Sequence, residues 1–173
     1  NNIALDKITN TVLFLNTSGE LYSINYLTKK FNWVLNFKNS SLAGDTALFI
    51  SNPIVIKKSN IVISTDKVIL SYDILSVFKN WSFPSDSIFK PILTTNYTYL
   101  LSKNNLLICL ENKTGKVLWS KNIYKSLQNK KNKDLGKFID IQMANSELNL
   151  FTSGGYLLSF NYKNGNLNFI EKI

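Results

Sequence analysis

The fifteen residues from Asn105 to Trp119, NLLICLENKTGKVLW, have three ungapped counterparts: Gly19 to Trp33 (GELYSINYLTKKFNW), Lys67 to Trp81 (KVILSYDILSVFKNW) and Gly155 to Phe169 (GYLLSFNYKNGNLNF). Four columns of this alignment carry physical meaning. Gly19, Lys67, Asn105 and Gly155 open each copy, where a tight turn between strands needs residues that tolerate positive φ; Lys67 is the exception. Ser23, Ser71, Cys109 and Ser159 put a small residue inside an apolar strand, which points to a crowded site where neighbouring sheets approach. Asn25, Asp73, Glu111 and Asn161 are suited to accept backbone hydrogen bonds as the chain leaves that strand. Ten residues after the small column stand Trp33, Trp81, Trp119 and Phe169, so all three tryptophans occupy one repeat position.

Outward from these windows the chain reads as strands. Thr11–Asn16, Asn60–Thr65, Tyr97–Lys103 and Leu148–Thr152 are short runs rich in β-branched, aromatic and Leu residues, and Pro53–Ile56, Pro91–Thr94 and Phe138–Met143 supply a further strand in three units. Val68-Ile69-Leu70 and Leu106-Leu107-Ile108 are continuously apolar, as expected of strands buried on both faces. Successive wedge aromatics are 48, 38 and 50 residues apart, which suits a four-stranded propeller blade. The expectation is an all-β chain of four antiparallel, four-stranded propeller blades at about 1–37, 53–83, 91–123 and 137–173. Insert loops lie at 38–52 and 124–136, and no segment has a sustained helical period. The second insert, rich in Lys and Asn, reads as a disordered surface loop.

Composition removes several kinds of chemistry. The chain has no histidine and one cysteine, Cys109, which excludes imidazole acid–base pairs, His-ligated zinc and an intrachain disulfide. Cys109 falls in the small column and is expected to be packed core. The net charge is +9, yet all twenty basic residues are Lys; without Arg, the bidentate contacts of specific nucleic-acid recognition are missing. No apolar run approaches the roughly 18 residues that would span a bilayer.

At Glu111-Asn112-Lys113-Thr114-Gly115-Lys116-Val117-Leu118-Trp119 the chain resembles the repeat of pyrroloquinoline-quinone-type, or quinoprotein-like, propellers: an acidic residue, Thr-Gly, and Trp four residues after Gly. The fourth copy keeps Gly165 but has Phe169, while the first two keep Trp and replace Gly with Lys29 and Val77. Two groups carry such repeats. Quinoprotein dehydrogenases use adjacent cysteines and a calcium site beside the quinone, and a single cysteine cannot form that ring. The BamB-like lipoprotein family of the outer-membrane β-barrel assembly machinery has degenerate repeats, no cofactor and a scaffolding role. The resemblance to this second group implies a non-catalytic protein-binding scaffold, periplasmic and outer-membrane associated, with the barrel assembly machinery as partner. The alternative is a fragment of a dehydrogenase whose catalytic residues lie elsewhere. Rings of this kind have about eight blades, so four imply part of a larger ring, or two copies pairing to complete one. Trp33, Trp81, Trp119, Phe169, Ser23, Ser71, Cys109, Ser159, Gly115 and Gly165 are expected to be structural, with no catalytic, cofactor or metal residue.

Overall fold

A computed structural model describes residues 2–37, 48–127 and 135–173. The chain runs up and down through four separate antiparallel sheets, each of four strands in sequence order. Blade one holds β1 (Asn2–Asp6), β2 (Thr11–Leu15), β3 (Glu20–Asn25) and β4 (Lys30–Asn36); blade two holds β5 (Val55–Lys57), β6 (Asn60–Ser64), β7 (Ile69–Asp73) and β8 (Lys79–Phe83). Blade three holds β9 (Ile92–Leu93), β10 (Tyr97–Leu101), β11 (Leu106–Glu111) and β12 (Val117–Asn122); blade four holds β13 (Phe138–Ala144), β14 (Glu147–Thr152), β15 (Tyr156–Asn161) and β16 (Leu167–Lys172).

Period-two alternation assigns each strand residue to one of two sheet faces. The hydrophobic residues of facing blades merge into three cores, and each core is the seam between two blades. Leu13, Leu15 and Leu21 of blade one meet Ile61, Ile63 and Leu70 of blade two. Val62, Ile69 and Trp81 of blade two meet Leu100, Ile108 and Leu110 of blade three. Tyr99, Leu101, Leu107 and Cys109 of blade three meet Leu148, Leu150, Leu158 and Phe160 of blade four. Among the described residues no core joins blade four to blade one, so the four blades form an open arc.

The structure locates one expected strand and departs from sequence expectation in two places. The fourth strand expected of blade one is β1, over NIALD, a segment whose sequence carries little strand signal. The expected strands from Pro53 and Pro91 start later and are shorter, at Val55 and Ile92; a proline nitrogen has no hydrogen to offer a ladder. The second insert opens with a helical turn, α1 (Ile123–Ser126), capped by the Asn122 side chain accepting from the Lys125 N–H. Ile123, Leu127 and Leu135, at the two ends of this insert, are buried in the third core, so these ends are packed against the protein and are not surface loop. Residues 38–47 and 128–134 lie outside the described residues.

Candidate functional site

The small and aromatic columns are cross-strand partners. Ser23 pairs directly with Trp33, Ser71 with Trp81, Cys109 with Trp119 and Ser159 with Phe169. The ladder then shifts by one residue in every blade, leaving Asn32, Asn80, Leu118 and Asn168 as bulge residues. The ten-residue interval is therefore the length of the hairpin plus one bulged position. All four small residues are buried, where a larger side chain would compete with the aromatic for space across the strand pair. The bulge has a second use in blades one and two: Asn32 and Asn80 donate their amides to the hydroxyls of Ser23 and Ser71, each at 3.2 Å. In blade four Asn168 instead donates to Glu147, and the buried Ser159 hydroxyl has no partner.

Each tryptophan reaches forward into the next blade. The indole N–H of Trp33 donates to the Ile74 carbonyl at 2.9 Å, that of Trp81 to Asn112 at 2.7 Å, and that of Trp119 to Tyr162 at 3.2 Å. Each acceptor directly follows the turn-capping residue of its blade: Asp73, Glu111 or Asn161. Trp81 lies on Gly115 and Trp119 on Gly165, so closely that an added Cβ would stand 2.6 Å from the indole in both cases. At this turn position φ is positive in all four blades, including Lys29 and Val77.

The capping column accepts as its residue types suggest. Asn25 Oδ1 takes the N–H groups of Leu27 and Thr28, Asp73 Oδ1 those of Leu75 and Ser76, and Asn161 Oδ1 that of Lys163. Glu111, one methylene longer, takes the Thr114 hydroxyl instead. Desolvation pushes the Asp73 carboxyl up, but hydrogen bonds from Ser76, Ser59 and Leu75 outweigh it and hold the group below its ordinary range. At the opening column, Gly19, Asn105 and Gly155 have positive φ. Lys67 does not, because the Thr65 hydroxyl closes that turn by accepting from the Lys67 and Val68 N–H groups.

Backbone hydrogen bonds tie the two turns at the same end of a blade: Tyr26 N–H to Asn10, Ile74 N–H to Ser59, and Asn112 N–H to Asn96. Together with the indole bonds, they gather these turns onto one rim of the arc. On this rim blades one and two expose Ile8, Leu27, Leu75 and Phe78, each at least 65% exposed. Leu27 and Leu75 share a repeat position, which blades three and four fill with the exposed Lys113 and Lys163. Lys7, Lys29 and Lys58 stand exposed on the same turns. The seam between blades two and three also opens a polar cleft of about 480 Å³, lined by Asn60, Asn80, Asn96, Glu111 and Lys113 among others.

Burial pushes the Cys109 thiol up to about 11, which keeps it protonated at neutral pH. Its cross-strand partner Tyr99 is fully buried and sets its hydroxyl against the Cys109 thiol. Among the described residues no three His, Cys, Asp or Glu side chains cluster as metal ligands would, and no helix is long and apolar enough to cross a membrane. The rim turns and the interblade network were legible as turn and wedge residues. The forward acceptors, the bulges and the exposed leucines do not follow from the residue columns, although Asn preceding the aromatic in three copies is a visible signal for the bulge.

No family profile matches the chain, and no curated protein matches it. Among solved structures, it is similar to the crystal structure of BamB from Moraxella catarrhalis, with a TM-score of 0.69 and 17% sequence identity. The match covers 99% of this chain and 52% of that one, so the chain spans about half the length of that structure. The four sheets are propeller blades.

Proposed function

We propose that this chain serves a non-catalytic scaffold of the BamB kind, holding a protein partner in outer-membrane β-barrel assembly from the periplasmic side. The observation that carries the reading is the turn rim. A repeat that can place Lys at its turn tip instead places Leu27 and Leu75 there, joined by Ile8 and Phe78, and leaves them in water. Exposed large apolar side chains gathered on one rim are costly to solubility and mark an interaction surface. Their lysine surround favours a partner with an acidic border. The propeller likeness supports the reading at the level of fold, and the packed, protonated Cys109 offers no alternative chemistry.

The test is partner capture in the producing organism with a photo-crosslinking residue at position 75 or 78. Crosslinks to a component of the barrel assembly machinery are expected, and Leu27→Ser/Leu75→Ser should lower them without changing the melting temperature, since both side chains are solvent-exposed. Capture that is indifferent to these substitutions, or that recovers no barrel-assembly component, would overturn the proposal.

A further inference from the structure

Blade three departs from the repeat at two buried positions. Thr98 pairs with Leu110, at the place that Val12, Ile61 and Leu148 take in the other blades opposite Ile24, Tyr72 and Phe160. Asn112 follows its turn cap, at the place of Tyr26, Ile74 and Tyr162. The other blades set aliphatic or aromatic side chains at both positions, whereas blade three buries a hydroxyl and an amide there, at 0% and 5% exposure. Such a pair is tolerated in a seam only when it is fully bonded. The Thr98 hydroxyl donates to Asn112 Oδ1 at 2.6 Å, and Asn112 Nδ2 donates to the Thr94 carbonyl at 2.9 Å.

The polar pair holds a turn. Thr94 Oγ1 closes residues 94–97 by accepting from the Tyr97 N–H and donating to the Tyr97 carbonyl, both at 3.0 Å, and the Asn112 N–H donates to the Asn96 carbonyl at 2.9 Å. Thr95 and Asn96 stand exposed on this turn and line the polar cleft of about 480 Å³ from the blade-three side. Asn60 and Asn80 line it from blade two. Asn80 donates its amide to Asn60 Oδ1 at 3.3 Å and to the Ser71 hydroxyl at 3.2 Å, which leaves Asn80 Oδ1 and Asn60 Nδ2 for a ligand. The Trp81 indole grips the Asn112 carbonyl, so the two sides are fixed to each other before a ligand arrives.

We infer that this cleft is a saccharide-binding site, in which Asn60, Asn80 and Asn96 bond the sugar hydroxyls and Thr98 and Asn112 are positioning residues. A pyranose presents neighbouring hydroxyls, each both donor and acceptor, and a side-chain amide supplies one group of each kind. A phosphodiester, whose charged oxygens only accept, would be repelled by Asn80 Oδ1 and would find Lys113 as the one cation of the lining. A peptide brings side chains that need apolar slots; Tyr97 is the one aromatic of the lining, and it packs on the core of the next seam. The volume falls within the roughly 300–1,000 Å³ of small-molecule clefts.

NMR titration of the whole chain with maltose, chitobiose and digalacturonate at millimolar concentration tests the inference. At least one should shift the side-chain amide signals of Asn60 and Asn96 together with the Trp81 indole N–H. Asn60→Ala and Asn96→Ala should each weaken that binding about tenfold without lowering the melting temperature. Thr98→Ile/Asn112→Ile installs the pair that blade two uses, Ile61 and Ile74, and should melt no lower than the parent yet lose the sugar; should it not fold, the two single variants decide. A hexasaccharide of the bound type separates the sources: affinity that rises with length assigns the site to a glycan chain, equal affinity to a free sugar, and either upholds the inference. Three sugars that leave the cleft signals unmoved overturn it, as does a tetra-alanine peptide that moves them instead, or sugar binding that survives both alanine variants. None of these readouts depends on Leu27 or Leu75, so this inference and the rim proposal fail separately.

Discussion

The indole N–H of Trp81 lies 2.7 Å from the carbonyl oxygen of Asn112, thirty-one residues away and in the next blade. Asn112 is itself buried and anchored: its side chain accepts from Thr98 and donates to the Thr94 carbonyl, and its N–H donates to Asn96. The wedge thus grips a fixed point. Trp81→Phe keeps most of the apolar contact but leaves that carbonyl short of a donor, and should cost about 1–3 kcal/mol. Trp81→Ala should cost about 3–5 kcal/mol. Urea denaturation of both variants checks the order.

Gly115 combines a φ of +72° with the indole of Trp81 where a Cβ would stand. Gly115→Ala should therefore destabilise twice over, by about 1–2 kcal/mol for backbone strain and a similar amount for overlap. Pairing it with Trp81→Ala should relieve the second contribution only, giving a double-mutant coupling that denaturation midpoints resolve.

Val77 occupies the same turn position with a φ of +63°, a conformation that a β-branched residue adopts at a cost. Val77→Gly is expected to stabilise the protein by about 1 kcal/mol, the relief of strain exceeding the added entropy of the unfolded chain. A lower midpoint than the parent would mean that the valine methyls contribute packing that the strain argument ignores.

Cys109→Ser installs the residue used at that column by the other three blades, yet should destabilise by about 0.5–1.5 kcal/mol. Blades one and two supply an Asn amide for the hydroxyl, whereas blade three has Leu118 at the bulge and offers only the Tyr99 hydroxyl. Cys109→Ser/Leu118→Asn should recover most of the loss, because it recreates the Ser71–Asn80 pair. Thermal melts of the single and double variants decide it.

Asp73 has a folded-state pKa below its ordinary 3.8, so its contribution is present above that value and is lost as pH falls through the lowered folded one. Asp73→Asn keeps an acceptor, as Asn25 and Asn161 do, and should be near neutral at pH 7 with a flatter acid limb in stability against pH. Asp73→Ala should lose about 1 kcal/mol at pH 7.

Much of this architecture could be read from residue types because a repeat reports the same environment several times. The ten-residue interval, the turn caps and the continuous apolar strands all follow from side chains with few alternatives. What escaped were features that side chains do not encode. A backbone carbonyl has no sequence signature, so Ile74, Asn112 and Tyr162 could not be seen as acceptors. The bulges at Asn32, Asn80, Leu118 and Asn168 depend on ladder register. β1 is short and ends on an Asp that caps its own turn, which hides its strand character. The second insert carries no sequence signal of packing, because Leu127 and Leu135 within it and Ile123 just before it are scattered among lysines and asparagines, and their burial depends on the distant blade surface they meet.

Among the described residues each hydrophobic core lies between two blades, so the seam is where apolar burial stabilises the fold. Four blades in an arc make three cores; bending the same kind of array until its ends meet creates one more core without adding a residue. Closure is therefore a gain in stability that comes from topology alone. Any truncation that opens the circle forfeits that gain, however well the remaining blades are packed.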